Sequence, residues 1–184
     1  LIDKKVFGAI GMSASHFWTN PLPASQNIVP TEASLVRGIL QDESSRLFGV
    51  PTGSAGIFSS MNDLLSFGQS FLSEETYLPK NVIQEMGNSQ LGTHSAMTFG
   101  LGMGLRHHNE CDLCDEQGIP FVVLKKNGYS GIHFCVLPHN NFCFIVFANI
   151  CYKQRPNGEK RDLFTQFHRK LLRMMYERQS ELFA

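Results

Sequence analysis

Apolar residues recur at the spacing of an amphipathic helix in four parts of the chain. The first part is residues 1–10, and Gly11 marks its end. The second begins at Ser59–Asp63, where Ser or Asn caps the helix and Asp63 lies near its positive end. A short helix follows Pro79, because proline suits the first helical turn. The last and longest helix places its apolar side chains on one stripe: Leu163, Phe164, Phe167, Leu171, Leu172 and Met175.

Strand-like patterns lie between the third and fourth helices. Thr98–Leu105 alternates glycine with large apolar residues, which predicts a strand that other backbone approaches closely. Phe121–Leu137 is predicted to be one strand, and Pro138–Asn141 has the composition of a turn. Phe142–Ala148 is almost wholly apolar, so this strand is expected to be covered on both faces. The two long strands therefore predict an antiparallel hairpin.

The order of these elements predicts the fold class. Residues 12–56 are rich in proline, glycine and serine, and they are predicted to be a long structured loop region that shapes a site. Helices then precede and follow the strands. This order favours an α+β fold in which helices flank an antiparallel sheet.

Composition excludes several classes of protein. The chain has 184 residues, of which 42% are hydrophobic and 17% charged, as expected of one folded domain. Lys+Arg and Asp+Glu number 16 each, so the basic footprint of a nucleic-acid-binding protein is missing. No apolar run reaches the roughly 18 residues of a membrane span, and no signal-peptide pattern opens the chain. Five cysteines, an odd number, slightly favour a reducing compartment; the compartment is otherwise not predicted.

Lys126–Gly131 (KNGYSG) is the strongest candidate for chemistry in the chain. It lies within a strand pattern, where lysine beside glycine is unusual for a core position. Gly128 would let a ligand approach the backbone, and Lys126 would supply a fixed positive charge for a carboxylate or an oxyanion. The alternative is an edge strand with a solvated lysine and a bulge at the glycines, and composition alone favours this alternative.

Three other segments carry weaker signals. Gly53–Gly56 is a small-residue loop, which packing explains best. His107–Cys114 brings four possible zinc ligands together, but their spacing is too tight for an ordinary zinc finger, and no metal site is predicted. Asp42–Glu43 is interpreted as a pair of solvated acids. No serine is followed three residues later by lysine, so the chain shows no S-x-x-K nucleophile.

Taken together, five stretches resemble a known family. They match, in order, family patterns that read fxPLGM, AGxxSTxxDLxxF, YGLGW, K/H-T-G and a strand ending in asparagine. The stretches are Val6–Met12, Ala55–Phe67, Phe99–Gly102, Lys126–Gly128 and Phe147–Asn149. This series resembles the C-terminal portion of the serine β-lactamase and penicillin-binding-protein-like hydrolases, nearest to the class C and esterase-like branch. The resemblance implies the β-lactamase/transpeptidase-like fold.

The third catalytic motif of this family has two possible registers here. Lys126–Gly128 matches K-T-G, whereas Tyr129–Gly131 matches H-T-G. The first register is preferred, because it places Tyr129–Gly131 on the family's following aromatic-Thr-Gly and Pro138 at the expected hairpin turn.

The resemblance also implies roles for individual residues. Lys126 is expected to bind a substrate carboxylate and to stabilise charge near the nucleophile. The backbone N–H of Tyr129 is expected to be one of two oxyanion donors. Asn127, Gly128 and Ser130 are expected to bind substrate, although the family usually has Thr or Ser where this chain has Asn127.

Two family motifs, S-x-x-K and Y-x-N, do not occur in the sequence. Residues 1–184 are therefore expected to be the C-terminal portion of a single β-lactamase-like domain, whose N-terminal part supplies the nucleophile. The implied function is acyl-enzyme hydrolysis of an amide or ester in a small molecule or peptide, with no cofactor. The alternatives are a non-catalytic relative that binds peptide or protein in the same cleft and, more weakly, a zinc-binding module at His107–Cys114.

Overall fold

A computed structural model describes residues 1–19, 27–32, 37–73, 77–88, 90, 98–105, 123–152 and 154–179 of the chain. The strands are β1 (His16–Phe17), β2 (Ile57–Phe58), β3 (Thr98–Phe99), β4 (Gly104–Leu105), β5 (Leu124–Asn127), β6 (Ile132–Leu137) and β7 (Phe142–Phe147). The α-helices are α1 (Glu43–Phe48), α2 (Met61–Gln69), α3 (Lys80–Met86) and α4 (Gly158–Glu177). A π-helical turn at Asp3–Phe7 lies within the helix predicted for residues 1–10. No described helix is long and apolar enough to cross a membrane.

The main sheet has five strands in the order β3-β4-β5-β6-β7, and every neighbouring pair is antiparallel. Strands that are adjacent in the sequence are therefore adjacent in the sheet. A separate antiparallel pair joins β1 to β2. Helices cover both faces of the sheet, so the predicted α+β architecture is confirmed.

Each face of the sheet has its own hydrophobic core. Side chains alternate between the two faces along each strand, so successive residues of β6 belong in turn to one core and then to the other. The core beneath α2 and α3 contains Phe71, Ile83, Met103, Leu124, Phe134 and Val136. The core beneath α4 contains Val123, Cys135, Leu137, Phe144 and Leu172. Because Ile145 packs on the first core and Phe144 belongs to the second, β7 is covered on both faces, as predicted.

Helix α2 begins where the sequence predicts. The Ser60 hydroxyl accepts a hydrogen bond from the Asp63 N–H at 3.1 Å, which satisfies one of the free donors of the first turn. The Asp63 carboxylate is buried and accepts from the Ala14 N–H at 2.9 Å and from the Ser15 hydroxyl at 2.7 Å. Asp63 therefore ties the segment before β1 to the helix, in addition to lying at its positive end.

Two predictions of a single long strand are wrong, because each segment is interrupted. Thr98–Leu105 forms two short strands, β3 and β4, rather than one. The predicted close approach does occur at Gly100, where a Cβ atom would overlap the Met86 carbonyl. Phe121–Leu137 is also not one strand, since a turn at 128–131 separates β5 from β6. Gly131 has a φ of 110°, a conformation that interrupts a strand and that glycine adopts without strain.

The inward face of α4 differs in part from the predicted stripe. Leu172 and His168 are buried there, and Phe164 and Leu171 pack beside them. The His168 ring stacks on His133 of β6, with 4.1 Å between the ring centroids, and this pairing sets the inward face of the helix. Three residues of the predicted stripe are instead exposed: Leu163, Phe167 and Met175.

Candidate functional site

The candidate site is built around the turn that joins β5 to β6. The Gly128 N–H donates to the Ile132 carbonyl at 2.7 Å, and the Gly131 N–H donates to the Gly128 carbonyl at 3.1 Å. The Ser130 carbonyl accepts from the Ile150 N–H at 2.8 Å, which fixes the turn to the segment after β7. The backbone of the predicted motif is therefore held by hydrogen bonds on two sides.

Lys126 and Lys125 lie on opposite faces of the sheet. The register pairs Lys126 with Phe134, which belongs to the core beneath α2, and pairs Lys125 with Cys135, which belongs to the core beneath α4. The Lys126 side chain is exposed and makes no hydrogen bond or ion pair with any described residue. Its ammonium group is therefore available to a ligand on the α2 side of the sheet.

Asn127 points to the α4 side of the sheet. Its Oδ1 accepts a hydrogen bond from Nδ1 of His133 at 2.6 Å, and His133 is the residue opposite it in the register. The His133 and His168 rings are both buried and stacked on each other. This hydrogen bond occupies the side-chain oxygen of Asn127. Direct contact between Asn127 and a substrate stays a prediction.

The ring of Tyr129 contacts helix α4. The guanidinium of Arg161 in α4 lies over the ring at 3.7 Å from the centroid, a cation–π contact that fixes the side chain. Within the described part of the chain, the Tyr129 N–H donates to no acceptor. It is a positioned donor without a protein partner among those residues, as an oxyanion site requires.

A cleft of about 980 Å³ opens beside this turn. Gly128, Tyr129 and Ser130 line it, whereas Lys126 and Asn127 do not. The remaining walls come from the segments 14–16, 27–31, 40–42, 54–60, 132 and 147–149. The structure thus brings three of the five predicted site residues to one cavity. Lys126 lies on the same face of the sheet as the lining residues Ile132 and Phe147.

Polar contacts hold the walls of the cleft in place. The Asn149 side chain donates to the Pro30 carbonyl at 2.7 Å, which joins the end of the β7 segment to the wall at 27–31. Arg155 donates from Nε to the Glu32 carboxylate at 2.7 Å, and it also pairs with Glu43 at the start of α1. The charge-assisted bonds from Glu43 and Glu32 raise the pKa of Arg155 above its ordinary value.

The paired acids Asp42 and Glu43 are therefore more than solvated charges. Asp42 caps α1, and its carboxylate accepts from the Ser45 N–H at 2.7 Å. That hydrogen bond holds the pKa of Asp42 below its ordinary value. Asp42 also lines the cleft, which the sequence interpretation did not predict.

The sequence pointed to the Lys126–Gly131 motif but not to most of the other residues that line the cleft. Ser54, Ala55 and Gly56 line the cleft, although the small-residue loop that contains them was assigned to packing alone. Packing is also real, because a Cβ atom on Gly56 would overlap Pro51. The available signal was the length of the 12–56 loop region, which predicted a site without locating it.

The zinc hypothesis concerns a segment outside the described residues, namely His107–Cys114. Among the residues that the structure describes, no group of three or more His, Cys, Asp or Glu is placed to hold a metal ion. Among the described cysteines, Cys143 and Cys151 are free thiols.

Comparison with known proteins gives matches in structure. No known family profile matches the chain, and no curated protein matches it in sequence. The unliganded simvastatin synthase LovD from Aspergillus terreus matches with a TM-score of 0.60 and 16% identity over 96% of this chain and 49% of that one. EstCE1, a hydrolase with promiscuous acyltransferase activity, matches with a TM-score of 0.59 and 16% identity, over 89% of this chain and 48% of its own.

These matches establish the fold. The chain has the serine β-lactamase/transpeptidase-like fold, as the resemblance in the five sequence stretches predicted. It spans about half the length of the solved structures that it matches.

Proposed function

We propose that this chain forms one wall of the active site of a serine hydrolase that cleaves an ester or amide through an acyl-enzyme. In this proposal it is the C-terminal portion of a single β-lactamase-like domain, and the N-terminal part of the same protein supplies the serine. The observation that carries the proposal is the Tyr129 N–H, which lacks an acceptor among the described residues and belongs to a turn that lines a large cleft.

We assign a role to each residue from Lys126 to Ser130. The Tyr129 N–H donates to the oxygen of the substrate carbonyl as negative charge develops on it. Gly128 and Ser130 line the cleft and bind the substrate beside that carbonyl. The Lys126 ammonium stabilises negative charge near the nucleophile from the same face of the sheet. Asn127 is held by His133 and fixes the end of β5 from behind.

The proposed reaction has two steps, acylation of the serine and hydrolysis of the acyl-enzyme. The serine oxygen attacks the carbonyl carbon and loses its proton to a base, and the tetrahedral intermediate then expels the protonated alcohol or amine. Water attacks the resulting ester, adds one hydroxyl to the acyl carbon and returns a proton to the serine. The cleft holds the acyl group through both steps, while the N–H of Tyr129 stabilises both oxyanions.

The first test is whether the 184-residue chain reacts by itself. We expect neither turnover of β-lactams or p-nitrophenyl esters nor a covalent adduct with a serine-directed acylating probe, because the S-x-x-K motif is missing. Burst kinetics on the purified chain would contradict the assignment of the nucleophile to another part of the protein.

The second test uses a longer product of the same gene. We expect mass spectrometry to show an acyl adduct on a serine of an S-x-x-K motif outside residues 1–184. A longer protein that binds peptides but forms no such adduct would support the non-catalytic alternative.

A further inference from the structure

Helix α4 contacts the motif around the β5–β6 turn at two places. The guanidinium of Arg161 lies over the ring of Tyr129, 3.7 Å from its centroid. The ring of His168 stacks on the buried ring of His133, whose Nδ1 donates to Oδ1 of Asn127 at 2.6 Å. Arg161 and His168 are seven residues apart in α4, which is about two helical turns, so both project from the same side of the helix.

The peptide group between Gly128 and Tyr129 carries the N–H that the proposed function assigns to the oxyanion. The carbonyl of this group accepts a hydrogen bond from the Gly131 N–H at 3.1 Å. Because a peptide group is planar and trans, its N–H points away from its carbonyl, and the bond from Gly131 therefore fixes the direction of the Tyr129 N–H. The two side chains that α4 reaches, those of Asn127 and Tyr129, belong to the residues on either side of Gly128. The direction of the N–H thus depends on how firmly α4 holds the turn.

We propose that helix α4 positions the Tyr129 N–H for catalysis. Arg161 holds the ring of Tyr129 directly, whereas His168 holds Asn127 through His133. Neither Arg161 nor His168 lines the cleft, so both are positioning residues. The inference rests on the proposed function, because it takes this N–H to be an oxyanion donor. A displacement of about 1 Å at a catalytic group can lower the rate by about 100-fold, which makes a second layer of contacts behind the turn important.

Kinetics of Arg161→Ala test the first contact in the longer protein that carries the nucleophile. We expect kcat, expressed per serine that an acylating probe labels, to fall about tenfold while KM changes less than about twofold, because the oxyanion forms only in the transition state. Arg161→Lys keeps a cation over the ring and should recover much of the activity. Lys170→Ala is the matched control, because Lys170 is exposed on the same helix, and it should leave both constants unchanged.

A double variant separates positioning from the charge of Arg161. Tyr129→Ala keeps the backbone N–H and removes the ring on which Arg161 lies. Adding Arg161→Ala to this variant should therefore change kcat less than about twofold. An equal loss of kcat in both backgrounds would show that Arg161 acts through its charge rather than through Tyr129, and this result overturns the inference.

Amide hydrogen exchange measures the hold on the turn without any reaction. The Gly131 N–H bonds to the Gly128 carbonyl, so its exchange rate reports how often this peptide group is released. Arg161→Ala should speed the exchange about threefold or more, the scale for losing one partly exposed cation–π contact. His168→Ala should speed it as well, and Lys170→Ala should not. Unchanged exchange in both Arg161→Ala and His168→Ala overturns the inference.

The two measurements separate the inference from the proposed function. If the longer protein forms an acyl-enzyme but the variants leave the exchange of Gly131 unchanged, the function stands and the inference fails. Faster exchange with an unchanged kcat also overturns it, because the position of the Tyr129 N–H would then not matter to the reaction. If no acyl-enzyme forms at all, the proposed function fails, whereas faster exchange in the same variants would still show that α4 holds this peptide group.

Discussion

The two faces of the five-stranded sheet bury different kinds of side chain. Beneath α2, the rings of Phe67, Phe71 and Phe134 pack on one another with centroids 5.2 to 6.2 Å apart. Beneath α4, two imidazoles, those of His133 and His168, are buried beside the rings of Phe144 and Phe164. Both faces contain packed aromatic rings, and the α4 face adds a polar pair that reaches the candidate site through Asn127.

The two faces also separate the side chains of Lys126 and Asn127, which are neighbours in β5. Because strand side chains alternate, consecutive residues of β5 serve opposite faces. Lys126 lies on the face that continues into the cleft at Ile132 and Phe147. Asn127 lies on the other face and bonds to His133. Neighbouring substitutions in β5 should therefore have different consequences.

The largest expected effect is on catalysis. In the protein that carries the nucleophile, Lys126→Ala should lower kcat/KM for an ester by about 100-fold, the scale for losing one preorganised charge-stabilising group. The measurement is steady-state hydrolysis at matched concentrations of folded enzyme.

The neighbouring lysine is the control for that variant. Lys125 belongs to the α4 face, so Lys125→Ala should change kcat/KM little. If Lys125→Ala were the damaging change, or if both variants were fully active, the assignment of Lys126–Gly128 as the catalytic motif would be wrong.

The next effect concerns the close packing of α2 on the sheet. A Cβ atom on Gly68 would overlap the sulfur of Cys143 in β7, so Gly68→Ala should lower the free energy of unfolding by about 2 kcal/mol. Urea denaturation measures this loss. Gly158→Ala, at a helical glycine with open space around it, should be close to neutral.

A double variant sharpens the comparison. Cys143→Ala removes the sulfur that the new methyl group would strike, so adding it to Gly68→Ala should recover much of the lost stability. Additive losses in the two variants would instead show that the strain at Gly68 does not come from Cys143.

Much of this sheet was predictable because its signals are local. The turn at Pro138–Asn141 and the apolar run of β7 depend on neighbouring residues only, and both appear in the structure. The start of α2 was predictable for the same reason, since Ser60 caps the helix three residues away from its donor. The five ordered sequence stretches then predicted the fold to which these elements belong.

Most of the errors concern features of the structure that depend on contacts between residues distant in the sequence. The turn at 128–131 was missed because the apolar pattern on both sides of it was interpreted as one strand, although the Asn127–Gly128 dipeptide favours a turn. Ile150, which is distant in the sequence, helps to fix that turn. The inward face of α4 was misjudged because His168, polar in the sequence, is buried by stacking on His133. The opposite wall of the cleft could not be located either, since Asn149 and Pro30, which join it to β7, lie 119 residues apart.

The last and smallest effect tests whether water reaches the Cys143 thiol in the core beneath α2. Burial raises the pKa of the Cys143 thiol from 9.0 to about 11, so the folded state holds its proton when the unfolded state has lost it. This contribution to stability is complete below pH 9 and is lost as the pH rises towards 11.

Comparison with Cys143→Ala isolates the contribution of that thiol. Two pKa units correspond to about 2.7 kcal/mol, and because the side chain is partly exposed we expect about 1 kcal/mol. Between pH 8 and pH 10.5, the free energy of unfolding of the unaltered chain should therefore fall by about 1 kcal/mol more than that of the variant. The other titrating groups are common to both proteins and cancel in the difference. If the free energies of unfolding of the two proteins changed in parallel with pH, water would reach Cys143 in the core beneath α2.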